Sequence, residues 1–409
     1  MSRHEADQLS EWIHSEKHYH PNDEALAATR FFLGNGLIGV RGSLDELGTH
    51  GVQGCYAAGF FRKRLVHQFE TADTYTRKKF IFDEEIMPQP AEIYEIQGLP
   101  DLLFCRITIG GEVVRLWEGS ITTFERTLDL RRGLMTRKLE WTSPKGLRAE
   151  LNFERFLSWS SPELLFQRIT IRALDAFDLE IAPGLDWGLE PRLTVGKVDC
   201  KQSGWAFTAT AQGSGISAYI GQAWALEVNG ESADMDMVPG ELSGRPLAKY
   251  RISLAQGHSL SLTRISSILV DNHPAASAPS SEKAFGKAAE ALRRGFDAGL
   301  AASAEVLSAK WNLADIRIDG AGRAQLGLRY SLYQLLAAAP WDYDHISIAA
   351  KCLSGPGYNG HVFWDTDINI LPFYQWVFPE VAANHCRYRH RMLDDARKLA
   401  AKENRPGAR

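Results

Sequence analysis

Near residue 272 the apolar residues stop recurring at every second position and begin recurring at every third or fourth. A chain with that change has to build sheets first and helices afterwards. Residues 164–174 show the first regime: Leu165, Ile169, Ile171 and Ala173 fall on one face, Arg168, Thr170 and Arg172 on the other. Ile107-Thr108-Ile109, then Gly110-Gly111, then Glu112-Val113-Val114 predicts a hairpin, because paired glycines supply the positive φ that tight hairpin turns need. Residues 251–254 and 259–269, separated by Gly257, also predict strands. Many short strands punctuated by Gly and Asn/Asp turns predict a large antiparallel sandwich.

Residues 273–281 form a Pro/Ala/Ser linker into a helix, with Ser280 or Ser281 as its N-cap. Phe285, Ala289, Leu292, Phe296, Leu300, Ser303, Leu307 and Trp311 then mark one face of a long helix with a break at Gly295 or Gly299. A strand-like piece, Asp315 to Gly320, follows. A second helix begins near Ala321, with Leu328, Leu332, Leu335 and Leu336 on one side. A glycine-rich loop, Ser354 to Gly360, precedes an aromatic segment from Phe363 to Phe378, and a last helix covers about Glu380 to Lys402. The domain reading is therefore 1–272 for the β part, 273–320 for a helical linker and 321–409 for the start of an α-domain.

At 409 residues the chain exceeds the size at which one core usually divides. A formal net charge of −4 argues against nucleic acid as a partner. The basic runs Arg62-Lys63-Arg64, Arg77-Lys78-Lys79 and Arg131-Arg132 are short and scattered, and read as solvated faces. Five widely spaced cysteines point to free thiols in a reducing compartment, and no clustered Cys/His spacing suggests zinc. Residues 1–17 lack the apolar core of a signal peptide, and no stretch approaches a membrane span, so the expected location is the cytoplasm.

The most unusual local sequence is Gly-His-Val-Phe-Trp-Asp-Thr-Asp, residues 360–367. An indole face can cover the apolar C–H face of a pyranose while a neighbouring carboxylate accepts two hydroxyls. From residue type alone, the same pair is more often a packed aromatic beside a capping aspartate. Asp365 and Asp367, like Asp342 and Asp344, are two apart; such residues share a face on a strand but not on a helix. An inverting glycosidase needs its carboxyls roughly 6.5–9.5 Å apart across the sugar, so neither pair is assigned as a catalytic dyad. His345 and His361 are candidates for a pocket rim or for structural roles. Residues 33–42 carry Gly34, Gly36, Gly39 and Gly42 without the spacing of a phosphate loop, and these glycines read as tight turns between strands. No Ser-His-Asp or Cys-His pairing has local support.

Several stretches, in fixed order, resemble glycoside hydrolase family 65. RFFLGNGLIGVRGSLDE (30–46) is similar to the family's opening LGNGYLGVRG strand pair, and CYAAGFF (55–61) to the Y-x-A-G-x-Y segment after it. LPDLLFCRITIGGE (99–112) and FERTLDLRRGLMTRKLEW (124–141) resemble the family's LPNW and R-x-LDMR runs. Residues 315–320 and 325–336 are similar to the entry into its catalytic barrel. SIAAKCLSGPGYNGHVFWDTDINILPF (347–373) resembles its AKGLSG…GH-x-FWDTE…LPF element. The matches run from residue 30 to 409.

The resemblance implies an N-terminal antiparallel β super-sandwich, a helical linker and the start of an (α/α)6 barrel. It implies reversible, inverting phosphorolysis of an α-glucosyl disaccharide such as maltose, trehalose, kojibiose or nigerose to β-glucose 1-phosphate, with trehalose-type hydrolysis as the alternative. Inorganic phosphate is the co-substrate, no metal or organic cofactor is expected, and the full-length form is expected to be a homodimer. A glutamic acid protonates the leaving oxygen while phosphate, already anionic, attacks from the opposite face without a general base. By the same resemblance Trp364 and Asp365 line the −1 glucose subsite, and His361 and Asp367 belong to the same binding motif.

This sequence departs from the pattern at Cys352, where the family has glycine, at Pro356, where it has glutamate, and at Asp367, where it has glutamate. After Gly320 the only glutamates are Glu380 and Glu403, neither in the context of the general acid, which is expected beyond Arg409. Twelve barrel helices of about 12 residues with loops of about 5 need roughly 200 residues, and 89 follow Gly320. The expectation is a barrel left incomplete in this chain, either a piece of a longer phosphorylase or a non-catalytic carbohydrate-binding remnant. A third reading makes the β part a dimerisation module.

Overall fold

The structure, a computed structural model, describes residues 11–48, 54–66, 91–190, 192–271, 278–320 and 322–402. The run Arg77-Lys78-Lys79, most of the Pro/Ala/Ser linker and the first ten residues lie outside that set. Antiparallel sheets come first and helices follow, with the change between Val270, where the last strand ends, and Ser281, where the next helix begins.

Among the described residues the largest sheet has 11 strands. Its main path runs Ile13–Glu16, Ser120–Asp129, Leu134–Thr142, Arg148–Leu157, Leu164–Ala173, Ser259–Val270, Ser217–Val228, Gly204–Ala211 and Leu193–Val195. A 5-stranded sheet orders Val238–Leu242, Arg245–Leu254, Phe177–Pro183, Cys105–Ile109 and Glu112–Val113. The two predicted strands on either side of Gly257 thus enter different sheets. The predicted hairpin forms at Gly110-Gly111, with φ 57° and 82°. Residues 164–173 keep the predicted alternation, and Leu151, Ile169, Ile171 and Leu262 share one apolar core with Ile107, Ile109, Leu179 and Ile181 of the smaller sheet.

That core contains a polar row that alternation alone does not reveal. Arg137, Arg155, Gln167, Arg264 and Gln222 occupy five consecutive strands of the large sheet and are all buried. Arg137 donates to Glu46 at 2.9 Å and stacks its guanidinium 3.9 Å from the Phe153 ring. Gln167 donates to the Asp45 carboxylate at 2.6 Å and the Leu103 carbonyl at 2.8 Å. Arg264 reaches the Phe104 carbonyl at 3.1 Å, and Gln222 the Leu102 carbonyl at 2.8 Å. The irregular segments around residues 43–46 and 102–104 cannot satisfy their own buried polar groups, and these side chains supply the missing donors.

A 4-stranded sheet, Leu33–Gly34, Ile38–Val40, Cys55–Val66 and Ala91–Gly98, lies toward the helices. Its basic run is paired across the ladder: Arg62 and Arg64 both bond Glu95, and Lys63 bonds Glu92 at 2.7 Å. Of the glycines in residues 33–42, Gly36 makes the predicted turn at φ 84°, but Gly34 and Gly39 serve close packing against Ala337 and Leu353.

The helices, numbered along the chain, are Glu24–Arg30 (α1), Ser281–Arg294 (α2), Phe296–Ala314 (α3), Gly322–Ala338 (α4), Leu371–Val377 (α5), Pro379–Arg391 (α6) and Leu393–Lys402 (α7). Ser280 is the N-cap, its hydroxyl accepting from the Lys283 amide at 3.2 Å. The predicted break falls at Gly295, φ 90°, while Gly299 stays helical and makes room for Phe166. The predicted strand at 315–320 is not one. No strand among the described residues pairs with it; the Gln325 side chain takes the part of a partner, accepting from the Ile318 amide at 2.6 Å and donating to the Ile316 carbonyl at 2.8 Å. The predicted last helix is divided at Met392 into α6 and α7. No described helix is long and apolar enough to cross a membrane, and all five cysteines are free.

Candidate glucose-binding site

The loop before the tryptophan-aspartate pair is held in an uncommon backbone shape. Tyr358, Asn359 and Gly360 have consecutive φ values of 55°, 58° and 73°. Two non-glycine residues in the left-handed region cost free energy that the surroundings must offset, and such strain concentrates at functional positions. Part of the offset comes from His361. Its Nε2 lies 2.5 Å from the Tyr94 carbonyl of the strand Ala91–Gly98, and its own carbonyl accepts from the Ala350 amide at 3.1 Å. His361 therefore braces the loop against the small sheet.

The chain turns helical at Trp364, passes through a widened π turn at Thr366–Ile370 and continues as α5. In that turn the Leu371 amide reaches back five residues to the Thr366 carbonyl. Pro372 follows directly and has no N–H to give to a regular turn, which explains a defect here. Trp364 is 77% exposed. The neighbouring Asp365 is exposed, caps nothing, and has no hydrogen-bond or ion-pair partner among the described residues. The pair is thus not a packed aromatic with a capping carboxylate. Tyr358 and Phe363, both partly exposed and edge-to-face at 5.6 Å, flank it.

Asp367 points the other way, into the protein. Its Oδ1 lies 2.8 Å from His385 Nε2 and 3.1 Å from Arg389 Nε, and Arg389 Nη2 bonds Oδ2. His385 Nδ1 meets Ser347 Oγ at 2.6 Å, and Arg389 also donates to the Phe363 carbonyl at 3.2 Å. The Thr366 hydroxyl donates to the Ile348 carbonyl at 2.8 Å. Partial burial pushes the Asp367 carboxyl up, but the bonds from Arg389 and His385 outweigh it and hold the group below the usual range. The sequence motif placed His361, Trp364, Asp365 and Asp367 together as sugar contacts. The structure divides them: Trp364 and Asp365 face solvent, and His361 and Asp367 are engaged by the protein.

Ser347, His385 and Arg389 were not singled out from sequence. Ser347, Asp367 and His385 come from three separate segments, so no local pattern announces them. The available signal was the spacing of His385 and Arg389, four apart on one face of a helix. Asp344 is paired with Arg391 at 2.9 Å, which draws its carboxyl below the usual range, and it joins no dyad with Asp342. His345 and His361 do line a cleft of about 850 Å³ between the small sheet and the helices, together with Phe61, Tyr94, Tyr388 and Asp395.

An exposed indole next to an unpaired carboxylate, on a helix start tied down from behind, can bind the face and hydroxyls of a sugar ring. The chain is similar over nearly its whole length to phosphorylases that act on such rings. It is 28% identical to a kojibiose phosphorylase of Halothermothrix orenii over 97% of this chain and 49% of that protein. It is 28% identical to a 3-O-alpha-D-glucosyl-L-rhamnose phosphorylase of Lachnoclostridium phytofermentans over 96% of this chain and 52% of that one. An alpha,alpha-trehalose phosphorylase of Geobacillus stearothermophilus matches at 28% over 93% and 49%. The chain spans about half the length of these curated relatives. A solved structure described as a putative kojibiose phosphorylase from human microbiome superposes with a TM-score of 0.82 at 23% identity, covering 97% of this chain and 50% of that one, and shares the fold. Residues 329–409 match the glycosyl hydrolase family 65 central catalytic domain. Residues 14–310 match the glycosyl hydrolase family 65 N-terminal domain, and the chain therefore belongs to glycosyl hydrolase family 65.

Proposed function

We propose that this chain is the sheet-bearing part and glucose-holding edge of an inverting α-glucosyl disaccharide phosphorylase. In this reading the sheets form the super-sandwich of the family, α2 and α3 the linker, and α4 to α7 the opening of an (α/α)6 barrel. The exposed Asp365, without a partner among the described residues, beside the exposed Trp364 is the observation that carries it. Trp364 covers the apolar face of the glucosyl ring and Asp365 accepts from its hydroxyls. A glutamic acid beyond Arg409 protonates the glycosidic oxygen, and inorganic phosphate attacks the anomeric carbon from the opposite face, giving β-glucose 1-phosphate. Phosphate carries its own negative charge, so the reaction needs one proton donor and no base.

The test is incubation of the full-length protein with maltose, trehalose, kojibiose and nigerose, with and without phosphate. Phosphate-dependent formation of β-glucose 1-phosphate is expected, lost on Asp365→Ala. Glucose release that ignores phosphate would overturn the reading in favour of a hydrolase. Glucose binding without turnover in the full-length protein would favour a carbohydrate-binding remnant.

A further inference from the structure

Arg389 brackets the tryptophan-aspartate pair. One guanidinium reaches the Phe363 carbonyl, immediately before Trp364, at 3.2 Å, and the Asp367 carboxylate, two residues after Asp365. The Asp367 Oδ1 is held a second time by His385, and that imidazole is fixed at its other nitrogen by Ser347. His385 and Arg389 both belong to α6, and His385 is buried. Between the bracket points the buried Thr366 hydroxyl adds one more anchor, to the Ile348 carbonyl at 2.8 Å. The backbone there leads into the π turn at Thr366–Ile370 and follows the left-handed run at 358–360. A helix start between two irregular segments is poorly directed by its own ladder, so side-chain anchors decide its aim.

We propose that Arg389 and His385 are positioning residues for sugar binding. They hold Phe363 and Asp367 and so fix the angle at which Trp364 and Asp365 meet a glucosyl ring. Neither touches the ring. The inference rests on the proposed role of Trp364 and Asp365, and it assigns to Asp367 a task different from theirs: its carboxylate is an anchor. Anchors of this kind act through ligand orientation; behind metal ligands their loss costs roughly tenfold or more in affinity, and a loss of that order is expected here.

The experiment measures glucose and maltose binding to the full-length protein by calorimetry, at a temperature where each variant is shown folded by circular dichroism. Arg389→Ala and His385→Ala are expected to weaken glucose binding about tenfold. Arg389→Lys, which keeps the charge for Asp367 but cannot fork to Phe363 as well, is expected to fall between and covers the case in which the alanine variant unfolds. In a Trp364→Ala background, Arg389→Ala should cost clearly less than in the parent, because only Asp365 is left to aim; a merely structural residue would cost the same in both backgrounds. Unchanged affinity in Arg389→Ala and Arg389→Lys, or equal losses in the two backgrounds, overturns the positioning role. If instead Trp364→Ala binds glucose like the parent, or the parent does not bind, the sugar-site reading itself fails.

Discussion

Gly39 of the strand Ile38–Val40 and Leu353 of the helical part pass so closely that a Cβ on Gly39 would stand 2.4 Å from both the Cβ and the carbonyl oxygen of Leu353. A backbone oxygen cannot swing aside as a flexible side chain can. Gly39→Ala must therefore push the small sheet away from the helices, at a cost of about 2–3 kcal/mol. Gly286 is the control. It lies inside α2, exposed, with nothing near the position of its Cβ. Gly286→Ala should stabilise by about 0.5–1 kcal/mol through the unfolded chain. Urea unfolding of the two variants checks the contrast, and equal effects of like sign would refute the close approach.

Cys352 has φ 51°, a left-handed backbone that favours glycine, the residue the resemblance leads one to expect there. An L side chain in that region costs roughly 1–2 kcal/mol. Cys352→Gly relieves that cost while losing some thiol packing and adding freedom to the unfolded chain, for a net gain of up to about 1 kcal/mol. Cys352→Ala keeps the strain and loses the sulfur, and should be less stable than the parent. The order glycine above alanine reverses what is usual at a half-buried site. Melting temperatures in the opposite order would refute the conformational account.

Much of this fold is written locally. Period-two alternation at 164–173, paired glycines at 110–111 and a serine before the first periodic residue of α2 are one-dimensional signals, and each produced the element expected. What stayed hidden depends on residues far apart. Gln325 does for residues 316 and 318 what a strand would have done, and nothing in its own neighbourhood announces it. Arg137 and Arg264 look like solvated positions in a strand, yet they are buried because irregular segments elsewhere leave carbonyls and carboxylates in need of donors. In the site, residue type located the motif, but only the fold could separate the outward Asp365 from the anchored Asp367. On a helix, residues two apart point in different directions.

Asp101 predicts a pH dependence of stability. Its carboxyl is buried; one oxygen accepts from the Leu103 amide at 3.0 Å and the other has no hydrogen-bond partner among the described residues. Burial pushes it up from 3.8 to about 7, with the Leu103 amide and Arg264 only partly opposing. The folded form thus holds a proton that the unfolded chain has already released. Its stabilising contribution is complete below the unfolded value of 3.8 and is lost as the pH rises through that window to about 7. The slope in the window approaches roughly 1.4 kcal/mol per pH unit. Asp101→Asn is neutral throughout, so the difference in unfolding free energy between parent and variant should drift across pH 4 to 7 and level off above. A difference that does not change with pH would show that Asp101 ionises normally.

The helix that carries the sugar site also carries an uncovered apolar face. Ile368 is 63% and Trp376 89% exposed, on the same run as Trp364. Contiguous exposed apolar side chains drive association in water, because each contact removes area at about 25 cal/mol per Å². The 409-residue chain should therefore self-associate as its concentration rises. The double variant Ile368→Ser with Trp376→Gln should remain monodisperse to higher concentration, measured by light scattering after size exclusion. Both side chains point to solvent, so stability should move by no more than about 0.5 kcal/mol per site. Neither belongs to the bracket around Asp367, so glucose affinity should be unchanged. Association that persists in the double variant would place the sticky surface elsewhere, and a loss of glucose affinity would mean that this face belongs to the sugar site.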